Sequence, residues 1–198
     1  FSGVSAALTF AKAGHKVALV EPRTYLGREI TATLRPWFRL DKDINDLPET
    51  IKSCIDITEK NLFPDEIPVK PDKVKLCLED LLLNAGVKLI YASIPVGLYS
   101  EEEKLRGIII GNKSGRQVIL GDIILDATET ATLARLAGAS FESETDGYSS
   151  FKRTLEFTKV SPILEFTISV PESIGIVNNQ ISLHPGYLGE GHLLVEYE

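Results

Sequence analysis

The 198-residue chain is 43% hydrophobic and 25% charged, a composition that supports one good core or two small ones and argues against disorder or a fibre. A formal charge of −7 provides no basic face for gripping a phosphate backbone, so a nucleic-acid partner is not expected. Apolar runs such as Leu81 to Leu83 and Ile108 to Ile110 fall far short of the ~20 residues that span a bilayer, and no membrane span is expected. The only cysteines, Cys54 and Cys77, form no C-x-x-C pair and follow no signal-peptide pattern. They read as two free, buried thiols in a reducing cytoplasm. The sequence opens with Phe1 and contains no methionine, which reads as a chain lacking the start of its parent.

In chain order, the segment from Gly3 to Ala13 is small and apolar on nearly all sides, as suits a helix packed tightly against a sheet. Gly14 is its stop signal. His15 to Val20 is a short β-branched and apolar run, the pattern of a parallel strand buried on both faces, and Glu21 ends it with a single acid. Residues 24 to 40 form a loop without sustained periodicity. Residues 41–71 are polar and proline-dotted, an excursion from the core with one possible helix around Leu47 to Glu59. Pro71 opens a helix whose apolar positions Val74, Leu78, Leu81 and Leu82 recur at helical spacing until Asn84-Ala85-Gly86 stops it. A strand at Val87 to Ala92 follows, then a hairpin of Leu105 to Asn112 with Gln117 to Leu120. Gly121 to Thr128 is expected as a further buried strand, and Thr130 to Ala137 as a helix closed by Gly138. Beyond Asp146-Gly147 the pattern changes to alternating segments, Thr154 to Phe157 and Ile163 to Val170, which read as strands of a different sheet. The expected division is therefore 1–145 and 146–198.

Helix, glycine, strand and terminal acid within about twenty residues form the second half of a dinucleotide-binding βαβ unit. Such a unit sets a pyrophosphate at a helix N-terminus, where unpaired N–H groups and the helix dipole favour negative charge and glycines allow close approach. Gly3 stands where the third glycine of G-x-G-x-x-G belongs, which would put the first two glycines and the first strand upstream of Phe1. Glu21, 18 residues after Gly3, is where a carboxylate accepts hydrogen bonds from ribose hydroxyls. Taken singly, Gly3 reads as a helix–strand packing glycine and Glu21 as a solvated strand end. Arg28, Glu29 and Arg35 lie in the loop that such sheets present to the ligand crevice, and read either as a site lining or as a surface ion-pair cluster. Trp37 and Phe38 read as core. His15, His184 and His192 are too scattered to hold a metal, and the last two fall in a glycine-rich turn between strands. No G-x-S-x-G elbow is present, so hydrolase chemistry is not indicated.

The order of these elements resembles the FAD-dependent oxidoreductases related to glutathione reductase. The likeness rests on Ala6-Ala7, Ala11, Ala13-Gly14, Val17, Leu19-Val20-Glu21 and Tyr25-Leu26-Gly27. It continues through Asn84 to Leu89 and Ile123 to Thr128, ending at Ala137-Gly138-Ala139. The resemblance implies an α/β fold: a Rossmann-like FAD-binding domain with an inserted β-hairpin or meander, plus part of a β-rich second domain for substrate. It implies FAD as cofactor, held by Gly3, Glu21, Pro22, Arg23, Gly27 and Arg28, by Ile94, Pro95 and Val96 beside the adenine, and by Asp126, Ala127 and Thr128. It further implies hydride transfer from a small-molecule substrate to the flavin, and an electron acceptor that reoxidises it. An arginine near the flavin would stabilise its anionic reduced form. Two positions depart from the family pattern, where glycine is usual: Glu129 after Ala127-Thr128, and Arg28 after Gly27. A carboxylate beside a pyrophosphate is unfavourable unless it turns away or pairs with a cation. Without its first strand the chain is expected to be inactive by itself. The alternatives are a non-catalytic Rossmann-fold scaffold that has lost its cofactor and an NAD-dependent dehydrogenase.

Overall fold

The structure is a computed structural model that describes residues 1–33, 35–39, 52–54, 66–142, 147, 151–156, 166–186 and 192–198. The chain divides into two compact units, Phe1–Leu26 with Leu78–Glu144, and Gly27–Cys77 with Thr145–Glu198.

In the first unit, helix α1 (Ser2–Lys12) buries Val4, Ala7 and Leu8, the i, i+3, i+4 stripe of an amphipathic helix. Gly14, at φ +88°, takes the left-handed conformation that ends it. Strand β1 (Ala18–Val20) pairs in parallel with β4 (Lys88–Ile90), Leu19 opposite Leu89. Parallel neighbours require a crossover, and its helix is α3 (Pro71–Asn84), of which residues 78–84 belong to this unit. Val74, Leu78 and Leu82, spaced four apart along it, are completely buried. The expected burial of β1 on both faces is not met: Ala18 is exposed and Leu19 and Val20 are half-buried. Among the described residues the β1 sheet has two strands only, so one edge of β1 has no ladder to cover it.

The expected hairpin forms as β6 (Lys104–Asn112) and β7 (Gly115–Leu120). A third strand, β5 (Ile94–Glu101), precedes it and pairs antiparallel with β6, with register shifts between Pro95 and Gly97 and between Tyr99 and Ser100. Pro95 and Gly97 disguise that strand in the sequence, because both are strand breakers unless a bulge accommodates them. Residues 121–128 do not form the expected strand. Their burial alternates as a strand's does, with Ile124, Asp126 and Thr128 half-buried. No ladder among the described residues pairs them, and Ile123 and Leu125 are 68% and 57% exposed. Helix α4 is Thr132–Leu136, shorter at both ends than expected, with Leu133 buried.

The second unit contains the short helix α2 (Arg28–Thr31) and the antiparallel pair β2 (Trp37–Arg39) and β3 (Glu66–Pro68). Its main sheet is antiparallel, in the order β8 (Phe151–Glu156), β11 (His192–Tyr197), β10 (Gln180–Pro185), β9 (Phe166–Ser169). Leu183, Leu193 and Val195 gather on one face with Ile181 and Tyr197. Leu194, on the other, packs against Trp37, which is core as expected. His184 and His192 were expected in a turn but stand inside β10 and β11, His184 opposite Leu194. Alternation carries both strands further towards the intervening glycines than turn composition suggests. The expected helix around 47–59 lies mostly outside the described residues. The reading of Cys54 and Cys77 as free thiols is corrected: the two are joined in a disulfide, with Cα atoms 5.6 Å apart. Their separation of 23 residues gives no local signal, because folding sets segment 52–54 against α3.

Candidate functional site

The first unit contains four of the sequence's candidate segments, two of which, Glu21 to Arg23 and Ile94 to Val96, lie at the carboxyl ends of β1 and β4. Glu21 leaves β1 with its N–H donating to the Ile90 carbonyl at 3.0 Å, which continues the β1–β4 ladder by one bond. Its Oε1 accepts the Arg23 backbone N–H at 3.0 Å, and the Arg23 guanidinium lies 3.9 Å away. This local turn fixes the carboxylate at the strand end while 19% of the side chain stays exposed. Pro22 is exposed between them.

The Ile94–Val96 segment is tied to the same strand end through Ser93, which is completely buried. The Ser93 N–H donates to the Glu21 carbonyl at 3.2 Å. The Ser93 hydroxyl donates to the Tyr91 carbonyl at 3.0 Å and accepts from the Asn112 amide at 3.1 Å. Ala92, at φ +50°, donates its N–H to the Arg23 carbonyl. The chain thus turns sharply and presents Ile94 and Val96, 51% and 40% exposed, next to Glu21. Sequence reading missed Ser93. Its only signal is a lone small polar residue between two apolar runs. Tyr91 donates to Glu79 Oε2 at 2.8 Å. Burial first, then that hydrogen bond and the charges of Glu79 and Glu21, raise its hydroxyl above the ordinary phenol range, so it stays a donor.

Gly3 and Ala127 meet. A Cβ built on Gly3 would lie 3.1 Å from the Cβ of Ala127, tighter than ordinary van der Waals contact. The start of α1 and the 126–128 segment are therefore close neighbours because residue 3 has no side chain. Asp126 is occupied within the protein. Its Oδ1 accepts the Thr128 N–H at 2.9 Å and the Thr128 hydroxyl at 2.6 Å, and its Oδ2 accepts the Ala134 N–H at 3.0 Å. The Thr128 Oγ1 in turn accepts the Thr132 N–H at 2.8 Å. Asp126 and Thr128 so satisfy N–H groups at the start of α4, where the N-cap position is Ala131 and has no side-chain acceptor. Partial burial acts to raise the Asp126 pKa, but the hydrogen bonds from Thr128, Ala134 and Leu133 outweigh it and hold the carboxyl below the ordinary range. Glu129 is exposed in the turn that follows.

Gly27, Arg28, Glu29 and Arg35 belong to the second unit. Gly27, at φ +74°, is the N-cap residue of α2, which begins at Arg28, and its carbonyl accepts the Ile30 and Thr31 N–H groups. Glu29 is exposed. Arg35 is exposed too, and its guanidinium stands 5.4 Å from the centre of the Trp37 ring. Among the described residues there is no group of three or more His, Cys, Asp or Glu able to hold a metal ion.

Residues 1–183 match the family described as FAD dependent oxidoreductase. The chain belongs to that family. FAD is the cofactor of this oxidoreductase, and its fold is α/β, a Rossmann-like part with a β-rich remainder. No curated protein matches the sequence. Among solved structures, this FAD-dependent oxidoreductase resembles a geranylgeranyl bacteriochlorophyll reductase-like protein from Thermoplasma acidophilum. The TM-score is 0.59 at 17% identity, covering 98% of this chain and 53% of that one. It resembles THI4 of Thermovibrio ammonificans with a TM-score of 0.51 at 19% identity over 70% of this chain and 60% of that one. It also resembles the anhydrotetracycline hydroxylase OxyS of Streptomyces rimosus, with a TM-score of 0.55 at 12% identity over 98% of this chain and 42% of that one. At these identities the likeness is one of fold. The chain spans 53% of the first relative's length. No described helix is long and apolar enough to cross a membrane.

Proposed function

We propose that this chain provides the nucleotide-binding part of a flavoenzyme that takes a hydride from a small-molecule substrate and passes the electrons to a separate acceptor. The reading is supported by Glu21 beside the Ile94–Val96 segment, with the Gly3–Ala127 contact in the same unit. A cradle for an adenine nucleotide needs an acid for ribose, an apolar shelf for the base, and a helix start where backbone can approach phosphate. Glu21, positioned by the Arg23 N–H, accepts hydrogen bonds from the ribose hydroxyls. Ile94 and Val96, exposed beside it, cover the base, with Pro95 fixing the chain between them. At Gly3 an added Cβ would crowd Ala127 at 3.1 Å, so the bare glycine lets the helix start lie close to the 126–128 segment.

Bound FAD supplies the hydride-accepting chemistry, which no side chain can. The protein binds, orients and excludes water. In this reading Asp126 acts by holding Ala127 and Thr128 in place, since its own oxygens are engaged. Glu129 turns towards solvent, away from the phosphates. Arg28 and Arg35, both in the second unit, bind an anionic group of the substrate. The domain boundary near residue 145 and a cytoplasmic location belong to the same proposal.

The test is made on the purified, folded protein. Flavin absorbance bands near about 370 and 450 nm, a property of the cofactor, are expected in the purified protein. The Glu21→Ala variant should bind FAD about tenfold to a hundredfold more weakly by titration, as a lost charged hydrogen-bond partner predicts. A folded protein that takes up no added FAD, or unchanged affinity in Glu21→Ala, overturns the assignment.

A further inference from the structure

The Cys54–Cys77 disulfide joins segment 52–54 to the middle of α3. The two sulfurs sit in unlike surroundings. Cys54 is 4% exposed, whereas Cys77 is half-buried, beside the completely buried Leu78 and the 68% exposed Leu76. Ser53 is exposed, and its hydroxyl lies 4.0 Å from the Cys54 sulfur and 3.8 Å from the Cys77 sulfur. One hydroxyl thus reaches both ends of the bond.

We propose that Cys54 and Cys77 form a reversible thiol–disulfide couple, opened by an external dithiol that attacks the Cys77 sulfur, with Ser53 assisting departure of the Cys54 thiolate. In thiol exchange the attacked sulfur must be reachable and the leaving sulfur must bear negative charge. Only Cys77 meets the first requirement well. A buried thiolate at Cys54 is disfavoured by desolvation, and the Ser53 hydroxyl supplies the hydrogen bond that offsets this. The steps balance. A thiolate of the external dithiol bonds to Cys77 Sγ, the Cys54–Cys77 bond breaks, and its electron pair leaves on Cys54. The second thiol of the reagent, deprotonated, then attacks its own sulfur in the mixed disulfide and releases Cys77 as thiolate. The two protein thiolates take up the two protons given up by the dithiol, which ends as a cyclic disulfide. Two electrons have entered the protein, and segment 52–54 is no longer covalently held to α3.

The experiment uses the full chain, folded, with dithiothreitol as the dithiol. Thiols are counted after acid quench and denaturation. The oxidised protein should yield no thiols before treatment and two after minutes in about 1 mM dithiothreitol without denaturant, and oxidised dithiothreitol in excess should restore the bond. The Ser53→Ala variant should open about threefold to tenfold more slowly, the worth of one hydrogen bond to a charged group. In Cys54→Ser, Cys77 should form a mixed disulfide with glutathione disulfide at least tenfold faster than Cys54 does in Cys77→Ser. Resistance of the native bond to dithiothreitol for hours overturns the proposal. Two free thiols in protein prepared under air, or faster capture at Cys54, does so as well. The wild-type kinetics and the mild Ser53→Ala variant decide the matter even if removal of either cysteine prevents folding.

Discussion

Asp126 offers the sharpest test of what the first unit's site consists of. As a cofactor ligand its loss would weaken FAD binding and spare the fold; as a brace its loss would destabilise the fold even without FAD. Hydrogen bonds reach both carboxylate oxygens, from the Thr128 N–H and hydroxyl at Oδ1 and from the Ala134 N–H at Oδ2, and the Leu133 N–H adds to them. Bonds to a charged acceptor contribute about 1.5–3 kcal/mol each when well shielded. The side chain is only half-buried, so solvent replaces part of that, and Asp126→Ala is expected to cost about 2 kcal/mol. Asp126→Asn should recover less than half, because its amide NH2 must face a donor: the Ala134 N–H on one side or the Thr128 pair on the other. Urea unfolding of the FAD-free protein, followed by far-ultraviolet circular dichroism, measures both. The pH dependence has a definite sign. The carboxyl's folded pKa lies below its ordinary value of 3.8, so the stabilisation is fully present above that value and is lost as pH falls through the lower, folded pKa. The wild-type advantage over Asp126→Ala should therefore be constant from neutral pH down to about pH 5 and shrink below pH 4. A cost under about 0.5 kcal/mol, or an advantage unchanged at the lowest pH where both proteins fold, would refute the brace.

The Gly3–Ala127 contact sets two effects against each other. Gly3→Ala gains about 1 kcal/mol of helix propensity but places a Cβ 3.1 Å from that of Ala127. FAD affinity should fall in Gly3→Ala, fall further in Gly3→Val, and be restored to Gly3→Ala by Ala127→Gly; additive losses in the double variant would show that the contact is irrelevant. Trp37 is the chain's single tryptophan and is packed, 2% exposed, on the fully buried Leu194. Leu194→Ala should cost about 2–5 kcal/mol and red-shift the Trp37 emission, and an unshifted spectrum at full stability would place the indole elsewhere.

Local chemistry in the sequence was sufficient for the elements whose signals are complete within ten or fifteen residues. The small-residue helix before Gly14, the Pro71-to-Gly86 helix with its four-residue spacing, and the 105–120 hairpin all carry their periodicity and their stops with them. The order of those elements, with Gly3 and Glu21 at the right separation, was enough to indicate the family. What the sequence hid lies where distant segments decide the outcome. Burial of β1 depends on ladders along both its edges. The 121–128 segment has the alternation of a strand, but a strand is defined by its neighbour. Pro95 and Gly97 argue locally against β5, and a register shift against β6 overrides them. Cys54 and Cys77 look unrelated across 23 residues until folding brings their Cα atoms within disulfide range. At the site, Asp126 is recognisable in sequence as a polar tip, but only the three-dimensional arrangement shows its oxygens already taken by Thr128 and Ala134, and Ser93 fastening the Glu21 strand end to Ile94. Side-chain type and spacing are local properties. Which donor meets which acceptor is settled by long-range packing, and the tertiary structure alone contains it.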